Sequence, residues 1–347
     1  MISKVYFRVD GNEVIGIGHV KRCINIAKEL KKLNVKPIFI VGDISILLKK
    51  EIQTLNFAIK VINPNRTELE QITGIIIKCK NQNTALVIDN DKEEFYQKSF
   101  QIALRENGVH LVFITFLSAP DYYADVVVNQ NVMALDDSYS TQDFTKELFG
   151  PKYLVLHENF RNYLNHNDNI PFLEKRNHSL ICFGGADTVN RTLWVYQQLG
   201  LLQDPFEKIN IVITSLYPFQ DELLKTIEDN STPTELFIDT NEMHLIMSDS
   251  KYAFTSGGLT CWELGLLNVT NMIFGESNRE ILSGKALSDK NLCYYLGELN
   301  NIDQDTFIES VNTILSQDEY SNKMLQRFKI LLNKDGVKLV CNAIMGI

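Results

Sequence analysis

Short runs of apolar and β-branched residues recur along this chain, separated by longer segments whose apolar positions fall at helical spacing. Val5, Tyr6, Phe7 and Val9 form the first run, and Val20, Cys23, Ile24, Ile26, Ala27 and Leu30 repeat at near-helical intervals behind it. The pattern predicts a strand, a glycine-bearing loop and a helix that opens with His19. Further strands are predicted over residues 36–42, near Val61, and over 84–89, 110–115 and 124–131, with helical segments between them. Such a series reads as buried parallel strands joined by crossover helices. Residues 162–177 are polar, lack apolar periodicity and contain Pro171, which marks a linker.

A second series follows. It predicts strands over 179–185, 210–214, 234–239 and 252–258, with helices from about Arg191, from about Gln220, around Met243 and after Gly258. The expected organisation is an α/β chain: an N-terminal domain over 1–161, the linker, a C-terminal domain over 178–330 and a closing helix over 331–347. Two doubly wound, Rossmann-like domains facing a cleft would place ligands at the carboxyl ends of their strands.

The bulk numbers fit that division. At 347 residues the chain exceeds the usual single core, so two domains of roughly 150 residues each are the first expectation. A net charge of −9 argues against nucleic acid or an anionic membrane as partner. The six cysteines show no CxxC spacing and read as reduced core residues. No signal-like segment opens the chain and no uninterrupted apolar run of about 18 residues occurs. A cytoplasmic protein without membrane insertion is therefore expected.

Chemistry concentrates first in residues 7–23, FRVDGNEVIGIGHVKRC. Gly16 and Gly18 let the backbone turn with positive φ or approach a ligand closely, and a helix N-terminus offers unpaired N–H groups to an anion. The spacing matches neither a dinucleotide fingerprint nor a P-loop. Taken singly, His19 reads as a capping or packing residue. With Arg8, Asp10 and Arg22 around the same loop it also reads as an oriented base beside a held anion. A plain Arg8–Asp10 ion pair is the competing account of those two residues.

The second concentration is FTSGGLTCWEL, residues 254–264, again strand, glycine turn and helix. Ser256, Gly257, Gly258 and Thr260 would present N–H groups and hydroxyls to a diphosphate. Glu263 reads either as an acceptor for a ribose diol or as favourable charge near a helix N-terminus. Gly184, Gly185 and Asp187 form a third glycine turn. The histidines lack metal-ligand spacing, and Asp89, Asn90 and Asp91 read as capping or orienting groups before they read as a Mg²⁺ site. No metal and no cofactor is expected, and no GxSxG surrounds Ser256.

In the order of these motifs, with NQN at 129–131, GPKYLVLHENF at 150–160, LFIDTNEMHLIMSDS at 236–250 and the terminal DGVKLV, the chain resembles the nucleotide-sugar hydrolases of the pseudaminic acid pathway and their spore-coat polysaccharide relatives. The resemblance spans nearly the whole chain. It implies a GT-B-like architecture, similar to the peptidoglycan N-acetylglucosaminyltransferase, and metal-free release of UDP from UDP-2,4-diacetamido-2,4,6-trideoxy-β-L-altropyranose. It implies further that His19 assists the attacking water and that Gly185, Met243, Ser256, Gly257, Gly258, Thr260 and Glu263 hold the nucleotide. Gly184 is expected beside Gly185 in the nucleotide site, and Gly16, Gly18, Arg22, Asp89, Asp91 and Asn278 are expected to meet the rest of the substrate.

Two departures bear on the sugar. Asp91 stands where the family commonly has a tyrosine, and Asn278-Arg279 stands where it has asparagine-glutamine. A GT-B glycosyltransferase using His19 on a sugar hydroxyl, or a silent nucleotide-sugar binding protein, are the other readings.

Overall fold

The computed structural model describes residues 2–12, 15–76, 83–167, 171–184, 187–202 and 205–347. Its chain divides into two compact units, Met1–Glu158 with Asn333–Ile347, and Asn159–Leu332.

The first unit is built on a parallel sheet of seven strands: β1 Lys4–Val9, β2 Lys36–Val41, β3 Ala58–Val61, β4 Thr84–Asp89, β5 Val109–Ile114, β6 Val126–Asn129 and β7 Lys146–Phe149. Their spatial order is β3-β2-β1-β4-β5-β6-β7. Successive side chains of β1 leave on opposite faces. Val5, Phe7 and Val9 join one apolar cluster with Val20, Cys23, Ile24, Ala27 and Leu30 of α1 (Gly18–Lys32), whereas Tyr6 joins another with Ile40, Ile88 and Phe113. Both faces are covered, so the central strands are mostly apolar, and the buried charges they carry, Arg8 and Asp89, lie near their carboxyl ends. The terminal helix, Gly336–Ile344, packs Val337, Val340, Cys341 and Ile344 into the α1 side of this same core.

The second unit repeats the plan with six parallel strands: β8 His178–Cys182, β9 Lys208–Ile213, β10 Thr234–Ile238, β11 Tyr252–Ser256, β12 Thr270–Gly275 and β13 Tyr294–Glu298, in the order β10-β9-β8-β11-β12-β13. In each sheet the chain runs outward to one edge, returns to the middle and runs to the other. The reversal lies between β1 and β4 in the first unit and between β8 and β11 in the second. At such a switch point the loops leaving adjacent strands diverge and open a crevice at their carboxyl ends. Asp89 pairs in register with Val9, and Thr255 with Cys182, so the candidate loops 10–18 and 256–259 both leave from switch points.

Three of these strands carry weak sequence patterns. Strand β7 is an edge strand with Lys146 and Glu147 exposed, β13 is a half-buried edge, and β12 opens on the buried polar pair Thr270 and Asn271. Asn271 is tolerated there because its amide donates to the Cys261 carbonyl at 2.9 Å. The cysteines at 23, 182, 261, 293 and 341 are buried and free. Cys79 lies outside the described residues.

Candidate functional site

In the first unit, β1 delivers Asp10, β4 delivers Asp89 to the adjacent position, and α1 begins over both. The loop between β1 and α1 turns at Gly16, whose φ of +87° is strained for any residue with a Cβ. Ile17 caps α1 without a side-chain hydrogen bond and no acidic residue lies in the first turn, so no side chain of the helix start competes for its leading N–H groups. Gly18 is exposed at the first helical position, and His19 follows.

His19 and Asp89 meet. Nδ1 of His19 lies 2.6 Å from Asp89 Oδ1, and Arg22, one turn further along α1, grips the same carboxylate through Nε at 2.8 Å and Nη2 at 2.6 Å. Burial alone would raise the Asp89 carboxyl, but the Arg22 charge and the His19 hydrogen bond outweigh it and hold the group down to about 2. Asp89 is thus a carboxylate at neutral pH and can only accept. The proton on Nδ1 must therefore belong to histidine, and the lone pair of the neutral ring sits on Nε2. Nη2 of Arg22 lies 3.3 Å from Nδ1 because both donors converge on one oxygen.

Arg8 and Asp10 form a second network beneath the first. Arg8 is fully buried and pairs with two carboxylates, reaching Asp10 at 2.6 and 2.8 Å and Glu68 at 2.8 and 2.5 Å. Asp10 also accepts from the backbone N–H groups of Gly42 and Asp43 and from the Asn90 amide. Burial would raise its carboxyl, yet Arg8 and those N–H groups bring it down to about 2. Lys92 closes the network on Glu68 at 2.8 Å. Arg8 and Arg22 are thus committed to carboxylates rather than turned to an incoming anion, and Arg8 and Asp10 form the ion pair that competed with a catalytic reading.

Asp10, Ile15, His19, Asp89, Asn90, Asp91 and Lys92 line one recess of about 350 Å³. Asp91 Oδ2 stands 4.0 Å from His19 Nε2, across the ring from Asp89. Glu68 and Lys92 were not among the expected site residues. Glu68 opens a helix 60 positions from Arg8, and only the fold joins them.

In the second unit, β8 and β11 end side by side in glycine turns. Gly184 adopts φ +84° and is exposed, whereas Gly185 lies outside the described residues. Asp187, three residues before the N-cap Asn190 of the helix Arg191–Leu199, accepts from the N–H groups of Arg191 and Thr192. Arg191, which sequence reasoning passed over, is buried against Phe183 and reaches Asp187, Glu276 and Glu280. Glu280 forms the capping box with Ser277 that starts α10 (Asn278–Asp289), leaving Asn278 exposed at the first position. Met243, first residue of the helix Met243–Asp249, packs on the apolar cluster of Leu180, Val212 and Leu264.

Ser256, Gly257 and Gly258 lead into α9 (Thr260–Leu266), which has no side-chain cap. The two glycines differ. A Cβ on Gly257 would lie 2.8 Å from the Glu280 carbonyl oxygen and 3.3 Å from the Gly284 nitrogen, both backbone atoms of α10, whereas on Gly258 the nearest atom is Ser256 Oγ at 3.8 Å. Gly257→Ala is expected to cost about 1–3 kcal/mol by forcing α10 away, and Gly258→Ala close to nothing. Urea denaturation of the two variants checks this, and equal losses would contradict it. Glu263, on the first turn of α9, makes no side-chain hydrogen bond among the described residues, and burial pushes its carboxyl up to about 8. Among the described residues no group of three or more His, Cys, Asp or Glu side chains is set to hold a metal ion.

No family model matches the chain. The uncharacterized protein MJ1062 of Methanocaldococcus jannaschii is 26% identical over 324 residues, covering 90% of this chain and 63% of that protein, so the chain spans under two thirds of this relative's length. The spore coat polysaccharide biosynthesis protein SpsG of Bacillus subtilis is 21% identical over 308 residues, covering 88% and 87%. Among solved structures, Acinetobacter baumannii MurG matches with a TM-score of 0.72 at 13% identity, covering 99% of this chain and all of that one. A co-structure of Staphylococcus aureus MnaA with UDP matches with a TM-score of 0.63 at 13% identity, covering 99% and 96%. The fold is GT-B-like. At these identities the likeness carries the architecture, and the chemistry has to be argued from the side chains.

Proposed function

We propose that this protein hydrolyses a nucleotide-activated sugar, of the UDP-linked deoxy amino sugar class, releasing UDP and free sugar for surface-glycan or nonulosonic acid biosynthesis without a metal. The observation that carries the reading is the Asp89–His19 pair, whose free Nε2 opens into the recess at the first switch point. Asp89 is a positioning residue: it fixes the tautomer and stabilises the imidazolium that forms when His19 takes a proton. Arg22 in turn keeps Asp89 ionised. The glycine turns at Gly184 and at Gly257–Gly258 and the uncapped N-terminus of the helix Thr260–Leu266 suit the diphosphate, and Glu263 suits the ribose. SpsG belongs by its name to polysaccharide biosynthesis and MnaA binds UDP, which supports both substrate class and nucleotide.

The same pair would serve a glycosyltransferase, with a sugar hydroxyl in place of water. Incubation with UDP-, CMP-, GDP- and dTDP-sugars, with and without acceptors, separates the two, reading released nucleotide and free sugar by mass. Release without an acceptor is expected. Release that requires one would turn the assignment to transfer.

Glu263 gives a separate expectation. Its carboxyl is largely protonated at pH 7 because burial holds it at about 8, whereas a ribose diol donates best to a carboxylate. Nucleotide binding is then expected to expel a proton, and affinity to rise from pH 6.5 to 8.5. Glu263→Gln should abolish the proton release and weaken UDP by about 10-fold or more, the worth of a hydrogen bond to a charged group. Calorimetry in buffers of different ionisation enthalpy measures both. Proton-neutral binding by the unaltered protein would remove Glu263 from the ribose.

A further inference from the structure

The recess contains one group that the Asp89–His19 pair does not need. Asp91 lies on the turn after β4, two residues beyond Asp89, with its side chain 43% exposed. Its Oδ2 stands 4.0 Å from His19 Nε2, and among the described residues it makes no hydrogen bond and no other ion pair. That separation is too long for a direct hydrogen bond and suits a single oxygen atom placed between the two. An oxygen about 2.8 Å from each would see them at an angle of about 90°, close to the spread of the two O–H bonds of water.

We infer that His19 Nε2 and Asp91 Oδ2 hold the attacking water between them, and that this pair selects water over an alcohol as the nucleophile. The inference rests on the hydrolytic reading of the site. Both partners are acceptors. Nε2 carries the lone pair because the Nδ1 proton is turned to Asp89, and a carboxylate has no proton to give. Water satisfies both with its two O–H bonds, and its remaining lone pairs then point away from the protein, toward an anomeric carbon in the recess. An alcohol has one O–H bond. If that bond goes to Nε2, the Asp91 oxygen faces the alcohol oxygen with no proton between them, an acceptor–acceptor contact that water avoids.

In the step itself the water oxygen bonds to the anomeric carbon as the carbon–oxygen bond to the diphosphate breaks, and that bond's electron pair leaves on UDP. One water proton passes to Nε2, giving an imidazolium paired with Asp89. The other stays on the new sugar hydroxyl, hydrogen-bonded to Asp91. Asp91 thus touches the reacting atom and counts as catalytic, whereas Asp89 and Arg22 act through His19.

The test is nucleophile partition. The full chain is given a UDP-sugar that it cleaves, in aqueous methanol, and the methyl glycoside and free sugar are counted by mass. The unaltered protein should give much less methyl glycoside than the methanol content would supply by chance. Asp91→Ala and Asp91→Asn should lower total UDP release and raise the ratio of methyl glycoside to free sugar by about 10-fold or more, the selectivity expected of one hydrogen bond to a charged group. UDP affinity should be unchanged, because the nucleotide is assigned to the other unit, and the exposed position of Asp91 leaves both variants folded. If both variants keep the original rate and ratio while His19→Asn still stops turnover, the role of Asp91 is overturned and the hydrolytic reading stands. If the unaltered protein releases UDP from no sugar in the panel, the hydrolytic reading itself fails, and this inference with it.

Discussion

Replacing His19 by asparagine should lower nucleotide-sugar turnover by about 10² to 10⁴-fold, the range supplied by a positioned general base, while leaving UDP affinity within a factor of two or so of the original. The loss falls on kcat because asparagine fills part of the imidazole space but accepts no proton at neutral pH. Stability should hardly move, since Arg22 still holds both oxygens of Asp89. Asp89→Asn makes a sharper comparison. An amide offers Nδ1 either an acceptor or a donor, so the tautomer is no longer enforced, and turnover should fall as well. Unlike His19→Asn, it also strips Arg22 of its buried partner, so its stability must be measured beside its rate. Single-turnover kinetics and UDP titration of both variants check these expectations. Unchanged turnover in His19→Asn would remove that residue from the chemistry.

The second large effect is on folding. Arg8 lies at the centre of a buried network with Asp10 and Glu68, and its guanidinium also stacks over Phe95. Arg8→Met keeps most of the volume but leaves two carboxylates buried without their cation, at a cost of about 3–5 kcal/mol. The pH dependence has a definite sign. In the unaltered protein the Asp10 and Glu68 carboxyls are held below their ordinary values, so the stability they add is present above pH 4 or so and is lost as pH falls toward 2. In the variant Glu68 keeps only Lys92 and Asp10 only its N–H donors and the more distant Lys92, so burial should raise both carboxyls above where they stand in the unaltered protein, and acidification costs the variant less. The stability gap between the two proteins should therefore narrow from pH 7 to pH 4. Urea denaturation at both pH values measures it, and a gap below 1 kcal/mol at pH 7 would show that the network contributes little.

These two networks also mark what the sequence could convey. The strands that carry them were legible because parallel strands covered on both faces read as short apolar runs. Arg8, Asp10, His19 and Arg22 stood out as polar residues around one glycine loop, and Asp89 and Asp91 as carboxylates at a strand end, where a doubly wound fold keeps its ligands. Their partners did not stand out. The pairing of His19 with Asp89 spans 70 positions and exists because β4 returns to lie beside β1, a consequence of strand order that no local pattern encodes. Glu68 gave no signal because a glutamate in the first turn of a helix is commonplace, and only the cross-sheet geometry turns it onto Arg8. Arg191 was hidden in the same way, as an ordinary helix residue that the fold buries among Asp187, Glu276 and Glu280. Strands β7 and β13 were hard to read for a different reason: edge strands are half-solvated and lose the apolar run that identifies central ones.

The proposed chemistry has a consequence at the level of single bonds. Water held at His19 attacks carbon, so the bond that breaks is the one between the sugar and the diphosphate oxygen. Turnover of the accepted nucleotide sugar in H₂¹⁸O, followed by mass measurement of the released UDP, reads this directly. The account expects UDP free of ¹⁸O, released without any acceptor and lost on His19→Asn. UDP carrying ¹⁸O would place the attack at phosphorus and contradict it.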